Sequence, residues 1–427
     1  MTDRSLPQFV DDDYQVRSKP AQDEKLTFWR TLDKPLLVLI SLMLAMGLMM
    51  VYSSTFDWSL DEFGSETAIL MSHVRNVMIG LVAMAIFARV PPRIIRRLSI
   101  VIMLMSISFL IAVLLFGDQT FGARRALING RFQPGEFAEL AMIVYMAAWL
   151  GSKNVRVRSI TYGFVPFIVL VAIVTGLVIL QPDLSTAVVI FVTSGMMFFL
   201  AGADMRQIGL VGLILLILGL FAFPILQRIA PYSTDRIDSW VAGVSDLTQT
   251  DYHIQQAIIA IQYGGWTGLG LGEGRQKFVS LPAPHTDSIF AVIGEELGVV
   301  GTTVVILFYL AFIIRGFYIS RQAENVFSSL LAAGVTIWVA TKAMLNIAVM
   351  TGLIPPTGLP LPFISYGGSS LVVLMVGVGM LLGIQRETAL KEPERRKQVA
   401  SYDRSRGNRR ARVSRTGSGT SSDQAVS

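Results

Sequence analysis

Cysteine is missing from all 427 residues, so the chain can hold neither a disulfide framework nor a thiolate metal site. Charge is scarce as well: 15% of residues are Asp, Glu, Lys or Arg against 52% hydrophobic, and the mean hydropathy is +0.57. That balance excludes an ordinary soluble domain and fits a polytopic membrane protein. No internal repeat is evident, which argues against a transporter assembled from inverted repeats. A phosphate loop of the nucleotide-binding kind is also lacking, so the sequence gives no sign of a nucleotide cofactor.

What is present is a series of apolar runs. Spanning the hydrocarbon core takes roughly 20 apolar residues in a helix. Ten segments are predicted, near 35–55, 68–88, 94–116, 136–150, 160–180, 184–203, 207–228, 287–315, 327–351 and 366–385. The expected fold is therefore an all-α polytopic membrane protein of about ten transmembrane helices. Some thirty polar residues precede the first run, which is expected to be a retained helix and not a signal peptide.

Orientation follows from the Lys and Arg of the short loops. Arg89, Arg93, Arg96 and Arg97 join segments two and three; Lys153, Arg156 and Arg158 join four and five. Arg206, Arg315 and Arg321 continue the pattern, whereas the first–second loop carries Asp57, Asp61, Glu62 and Glu66 with no Lys or Arg. Both termini are predicted to be cytoplasmic, and the long 229–286 loop to face outward. The expected organisation is a polar tail over 1–34, a membrane domain over 35–386 and a basic tail over 387–427, with both tails disordered. Residues 391–427 hold ten Lys and Arg against four Asp and Glu, which accounts for the net charge of +6. We read this tail as attracted to anionic lipid, not as a nucleic-acid ligand.

Candidate chemistry gathers on the outer side. Six glycines lie between Gly264 and Gly274, followed by Arg275 and Lys277, cations suited to an anionic ligand. Arg124, Arg125 and Arg131 occupy a short outer loop where the charge rule forbids them. They are headgroup anchors or an anion site, since guanidinium matches phosphate geometry. Leu281-Pro-Ala-Pro-His-Thr-Asp287 ends at the start of a helix, placing a carboxylate at the membrane boundary. Thr286 or Asp287 could cap that helix; Asp287 could also perform acid–base chemistry on a lipid-anchored substrate. Glu295, Glu296 and Lys342 are costly intramembrane charges, and an ion pair between Lys342 and one of those glutamates is expected. Between the last two segments, Thr351 to Ser370 contains four prolines, which no regular helix accommodates. A re-entrant loop walling the site beneath Asp287 is predicted.

Four stretches carry a family resemblance: Gly130-Arg-Phe-Gln-Pro-Gly-Glu-Phe-Ala138, Gln181-Pro-Asp-Leu-Ser-Thr-Ala187, Tyr252 through Gly301, and Asn346 through Ser370. On these the chain resembles the SEDS family of bacterial membrane proteins (FtsW and RodA), with its Pro-Pro-Thr-Gly and Ile-Ser-Tyr-Gly-Gly-Ser-Ser wording nearer the division branch. The resemblance implies a peptidoglycan glycosyltransferase that polymerises lipid II at the division septum of the bacterial plasma membrane. It also implies Asp287 as catalytic base and active roles for Arg131 and Glu136. Arg124, Arg125, Arg275, Lys277, Ser365 and Tyr366 complete the expected substrate-binding set. A Mg²⁺ or Mn²⁺ bridging phosphate oxygens fits such a reaction, although no metal-ligand set is legible. The implied partners are lipid II, the polyprenyl-linked glycan, a class B penicillin-binding protein acting as transpeptidase, and other divisome membrane proteins. Three positions depart from the family's usual pattern: Glu139 stands where it has Lys, Ser185 where it has Gly, and Lys342 where it commonly has Gln. A lipid II flippase and a non-catalytic scaffold are the rival readings.

Overall fold

The computed structural model describes residues 31–120, 123–126, 133–153, 155–207, 209–210, 212, 238–243 and 250–391. Most of both expected tails, and nearly all of the seventh predicted segment, lie outside these residues; residues 387–391, placed in the disordered basic tail, instead continue the last helix. Among the described residues, the other nine predicted segments are helices.

Helix α1 (Lys34–Phe63) starts where Asp33 accepts a hydrogen bond from the Leu36 amide, and it stops at Gly64 in the left-handed region. It runs eight residues beyond its apolar stretch, carrying Asp57, Asp61 and Glu62 outward on its last turns. Helices α2 (Ala68–Phe87) and α3 (Pro92–Phe116) are divided by Pro91 and Pro92. A short antiparallel pair, β1 (Asp118–Thr120) and β2 (Ala123–Ala126), follows. It is a small exception to the expected all-α fold, which a local hairpin of polar residues outside the membrane can form without disturbing the bundle. Then come α4 (Pro134–Leu150), a π-helical turn leading into α5 (Val165–Ile179), and α6 (Leu184–Leu200), capped by Asp183.

The remaining elements are α7 (Tyr252–Gly264), the single turn α8 (Gln276–Val279), α9 (Ile289–Gln322), α10 (Val326–Met350) and α11 (Ser369–Lys391). Among the described residues, seven helices, counting α5 with its leading turn, are long and apolar enough to cross a membrane. In α10 and α11, 78% and 72% of the most apolar window is buried, against 22% and 28% in α2 and α3. The former pair forms the centre of the bundle. The latter turns exposed Met71, Met78, Val82, Leu104 and Leu115 outward, as a lipid-facing surface requires.

Helix α9 breaks at Gly298, whose backbone (φ 64°, ψ −161°) is neither helical nor accessible to other residues without strain. The break frees carbonyls and amides that a membrane cannot leave unpaired. The glycine-rich loop supplies the partners. Leu269 and Gly270 amides donate to the Glu295 and Glu296 carbonyls, while Val299 and Val300 amides donate to Gly265 and Trp266. A Cβ at Gly268 would lie 2.1 Å from the Glu296 carbonyl oxygen, so no side chain fits where the two backbones meet. The glycine run is thus joined, backbone to backbone, to the break in α9.

The proline-rich segment between α10 and α11 is irregular and largely buried among helices. The Tyr309 hydroxyl donates to the Pro362 carbonyl at 2.5 Å, and Asn346 Nδ2 donates to Leu359 O at 2.7 Å. Gly47 of α1 lets it pack closely: a Cβ there would lie 2.8 Å from the Phe363 and Ile364 carbonyl oxygens. At the other end of the bundle, Arg315 of α9 grips Asp33 with Nε and Nη2 at 3.0 and 2.7 Å.

Candidate active site

A cavity of about 1210 Å³ opens among α2, α4, the start of α6, the start of α11 and the residues before α9. Asp287 stands on its wall immediately before α9. Its backbone carbonyl accepts from Asn346 Nδ2 at 2.8 Å, the same amide that holds Leu359. One side chain therefore fixes both the Asp287 backbone and the proline-rich segment facing it. Gly358, at φ +70°, faces the carboxylate: a Cβ there would sit 3.4 Å from Asp287 Oδ2. The helix cap itself is Ser288, whose hydroxyl donates to Pro282 O at 2.7 Å, and neither Thr286 nor Asp287 takes that position.

The adjacent residues are held as firmly. His285 lies between Trp58 and Tyr366, with ring centroids 5.1 and 5.6 Å away. Burial pushes its imidazole down to about 4, so the ring is neutral at physiological pH. Tyr366 lines the cavity, and its amide donates to His285 O at 2.8 Å. Ser365 lies just behind. Its hydroxyl donates to Thr286 O at 2.5 Å and accepts from the Leu361 amide at 2.8 Å. Expected as a substrate ligand, Ser365 is instead a backbone brace.

Glu136, in the first turn of α4, also lines the cavity. Lys342 of α10 donates to it at 2.6 Å and to Glu139, one turn deeper, at 2.9 Å. Trp338 Nε1 donates to Glu139 Oε2 at 2.7 Å. The expected pairing of Lys342 with Glu295 or Glu296 is thereby corrected. Those glutamates point toward the glycine-rich loop: Glu295 accepts the Arg275 and Gln276 amides, and Glu296 pairs with Lys277 at 2.5 Å.

Lys277 therefore needs a second correction. Its ammonium is fully buried and also donates to Ser53 O, Ser53 Oγ and Gly272 O. A cation so enclosed braces the loop against α1 and α9 and has no face left for a diphosphate. Arg275 is exposed and lies outside the cavity lining. Arg124 and Arg125 fall on β2, with side chains outside the description, and Arg131 lies outside the described residues.

Sequence reasoning missed a cation that lines the cavity among the described residues. Arg75 stands on α2 with Ser72 and Asn76, and its Nη2 donates to Ser72 Oγ at 3.1 Å. Polar residues at positions 72, 75 and 76 share one face of an otherwise apolar helix, a signal that could have found them. Asp183 and Thr186 line the cavity as well. Asp183 accepts from the Thr186 hydroxyl at 2.9 Å, while Ser185 donates to Thr357 O. Among the described residues, no group of three or more His, Asp or Glu side chains is arranged to hold a metal ion.

Residues 34–390 match the family model described as "Cell cycle protein", which groups FtsW, RodA and SpoVE. The chain belongs to the SEDS family. It is 37% identical to stage V sporulation protein E of Bacillus subtilis (strain 168), over 84% of this chain and 99% of that one. It is 35% identical to the probable peptidoglycan glycosyltransferase FtsW of Geobacter sulfurreducens, over 82% and 94%. This SEDS fold also superimposes on a chain from "Structural coordination of polymerization and crosslinking by a peptidoglycan synthase complex", with TM-score 0.69, 25% identity and coverage of 84% and 98%. The rod shape determining protein RodA of Thermus thermophilus gives TM-score 0.63 at 25% identity.

Proposed function

We propose that this SEDS protein is a peptidoglycan glycosyltransferase that polymerises lipid II for septal wall synthesis. The observation carrying this reading is a carboxylate, Asp287, held by a fixed backbone on the wall of a large cavity within a membrane bundle. Support comes from relatives named for this activity, and from division and sporulation relatives over more than four-fifths of the chain.

In the reaction, the 4-hydroxyl of one lipid-linked disaccharide attacks the anomeric carbon of the growing chain. The new glycosidic bond forms as the bond to polyprenyl diphosphate breaks, with inversion from α to β, and the hydroxyl proton passes to Asp287. A sugar hydroxyl is a poor nucleophile, which is why a base is needed. The leaving diphosphate is already stabilised, so a single carboxylate suffices where glycoside hydrolysis generally uses two. Arg75, on the cavity wall, is suited to a phosphate; Arg124, Arg125 and Arg131 remain proposed diphosphate ligands, with Arg275 as an outer contact. A bound Mg²⁺ or Mn²⁺ would neutralise diphosphate charge, and Asp183 and Asp287 are cavity-lining carboxylates that could help to hold it. Both termini face the cytoplasm in this reading, and the cavity opens outward. A class B penicillin-binding protein crosslinks the product, in keeping with the polymerising and crosslinking complex that the fold resembles.

The test is lipid II incubated with purified wild type and with Asp287→Asn, alone and with the partner, followed by analysis for polymer. Polymer from wild type and none from folded Asp287→Asn is expected. Full activity in the variant ends the assignment of the base. Movement of labelled lipid II between leaflets without polymer would make the protein a flippase.

A further inference from the structure

Helix α2 lines the large cavity from Ser72 to Ile79 and α11 with its first turn, and the two helices are also in contact at their far ends. From Ser72 to Arg89 is 17 residues, roughly 26 Å along a helix, so their second meeting is at the opposite membrane face. Gly383 permits it: a Cβ there would lie 3.2 Å from Phe87 O and 3.3 Å from Val90 O. A second cavity of about 530 Å³ opens at this place, lined by Arg89, Arg93, Arg97, Arg386 and Lys391, with Glu387 the one lining carboxylate among the described residues. Glu387 accepts from Lys391 at 2.9 Å and lies 3.6 Å from Arg93 Nε, and Lys391 also reaches Glu324. Among the described residues, the lining holds five cations, of which Arg93 and Arg97 are exposed.

Two further features give the pocket its chemistry. The N-terminus of α3 borders it with no side-chain cap and no acidic residue in its first turn, adding the positive end of a helix dipole. Ile94 and Leu390 also line it, 46% and 43% exposed, and Leu98, Val101 and Met105 continue an exposed apolar row along α3. A cationic pocket opening onto a lipid-facing apolar row suits an amphiphile, whereas a free anion would use only the first part.

We infer that this pocket binds the phosphate headgroup of an anionic phospholipid, with an acyl chain lying along the Ile94–Met105 face of α3. Arginine forks bind phosphate oxygens in pairs, and basic pockets between membrane helices are suited to acidic headgroups. The site lies on the far side of the bundle from the polymerising cavity and does not depend on that reading.

The experiment is native mass spectrometry of the full chain in detergent, titrated with phosphatidylglycerol or phosphatidylcholine. Phosphatidylglycerol is expected to bind selectively. Since each arginine contributes roughly fivefold, R93Q/R97Q should weaken that binding about tenfold or more. The control R156Q/R158Q, outside the pocket, should leave it within about twofold. Arg93 and Arg97 are exposed, so their replacement spares the packing. A readout that needs no variant is the melting temperature of wild type, which phosphatidylglycerol but not phosphatidylcholine should raise. Equal weakening by both double variants, or no lipid-selective melting shift, overturns the proposal. Displacement of the lipid by millimolar inorganic phosphate would assign the pocket to a soluble anion and overturn it too.

Discussion

Replacing Lys342 by Met removes the ammonium that Glu136 and Glu139 share at 2.6 and 2.9 Å, while keeping much of the side-chain volume. The Lys342 side chain is wholly buried and the two glutamates nearly so, at 7% and 1% exposure, so water replaces the lost partner poorly at Glu139 and only from the cavity side at Glu136. Removing one member of a buried ion pair costs about 3–5 kcal/mol, because the remaining charge is left uncompensated. Native proteins hold only about 5–15 kcal/mol in reserve, so a large fall in the melting midpoint in detergent is expected. Adding Glu139→Lys to Lys342→Met returns an ammonium three residues along the same helix from Glu136, a spacing at which side chains meet. The double variant should regain at least half of the loss and, because Glu136 lines the cavity, polymerising activity with it. Glu139→Lys alone places two ammoniums beside one carboxylate and should destabilise. The reasoning is refuted if Lys342→Met melts with wild type, or if the double variant is no more stable than Lys342→Met.

Lys277→Met should cost a similar 3–5 kcal/mol by stranding Glu296, with KM for lipid II unchanged in the folded fraction; a raised KM at unchanged stability would restore Lys277 as a substrate ligand. His285, held down to about 4 against an ordinary value of 6.5, stabilises the fold fully above pH 6.5. That contribution, up to about 3 kcal/mol, is lost as pH falls from 6.5 toward 4, because the unfolded chain then binds the extra proton. His285→Phe should flatten this part of the wild-type stability–pH curve, and parallel curves would count against the assignment. Gly358→Ala forces an L side chain into φ +70° and sets a methyl beside Asp287 Oδ2. We expect about 1–2 kcal/mol of strain and a fall in kcat on the order of tenfold, and an unchanged kcat would show that the carboxylate tolerates crowding there.

Hydropathy located the helices because lipid imposes one length and one chemistry on every span. Its boundaries failed where polarity and helicity part company: Ser53, Ser54, Thr55 and Ser59 end the apolar run of α1 yet are buried in contacts, and only Gly64 stops the helix. Asp287 and the proline-rich wall were legible because a carboxylate at a span boundary and four prolines in an apolar stretch are each expensive without a purpose. Charge partners were not legible. Lys342, Glu295 and Glu296 all read as buried ions seeking partners, but pairing depends on which helix faces land together. The answer lay with Glu136 and Glu139 on one side and Lys277 on the other. Arg75 escaped notice because a single arginine near a helix end resembles a headgroup anchor.

Because strands of loop backbone occupy the gap at Gly298, residues 264–270 and 294–300 cannot fold one without the other. Asp287 rides on the upper piece of that composite, so its position is inherited from a stretch some twenty residues earlier in the chain. A single-residue insertion within 264–270 would slide the register of this joint and displace the carboxylate without touching it. Chimeras with relatives should accordingly exchange 264–300 as one cassette, since a graft of either half alone would bring mismatched ends.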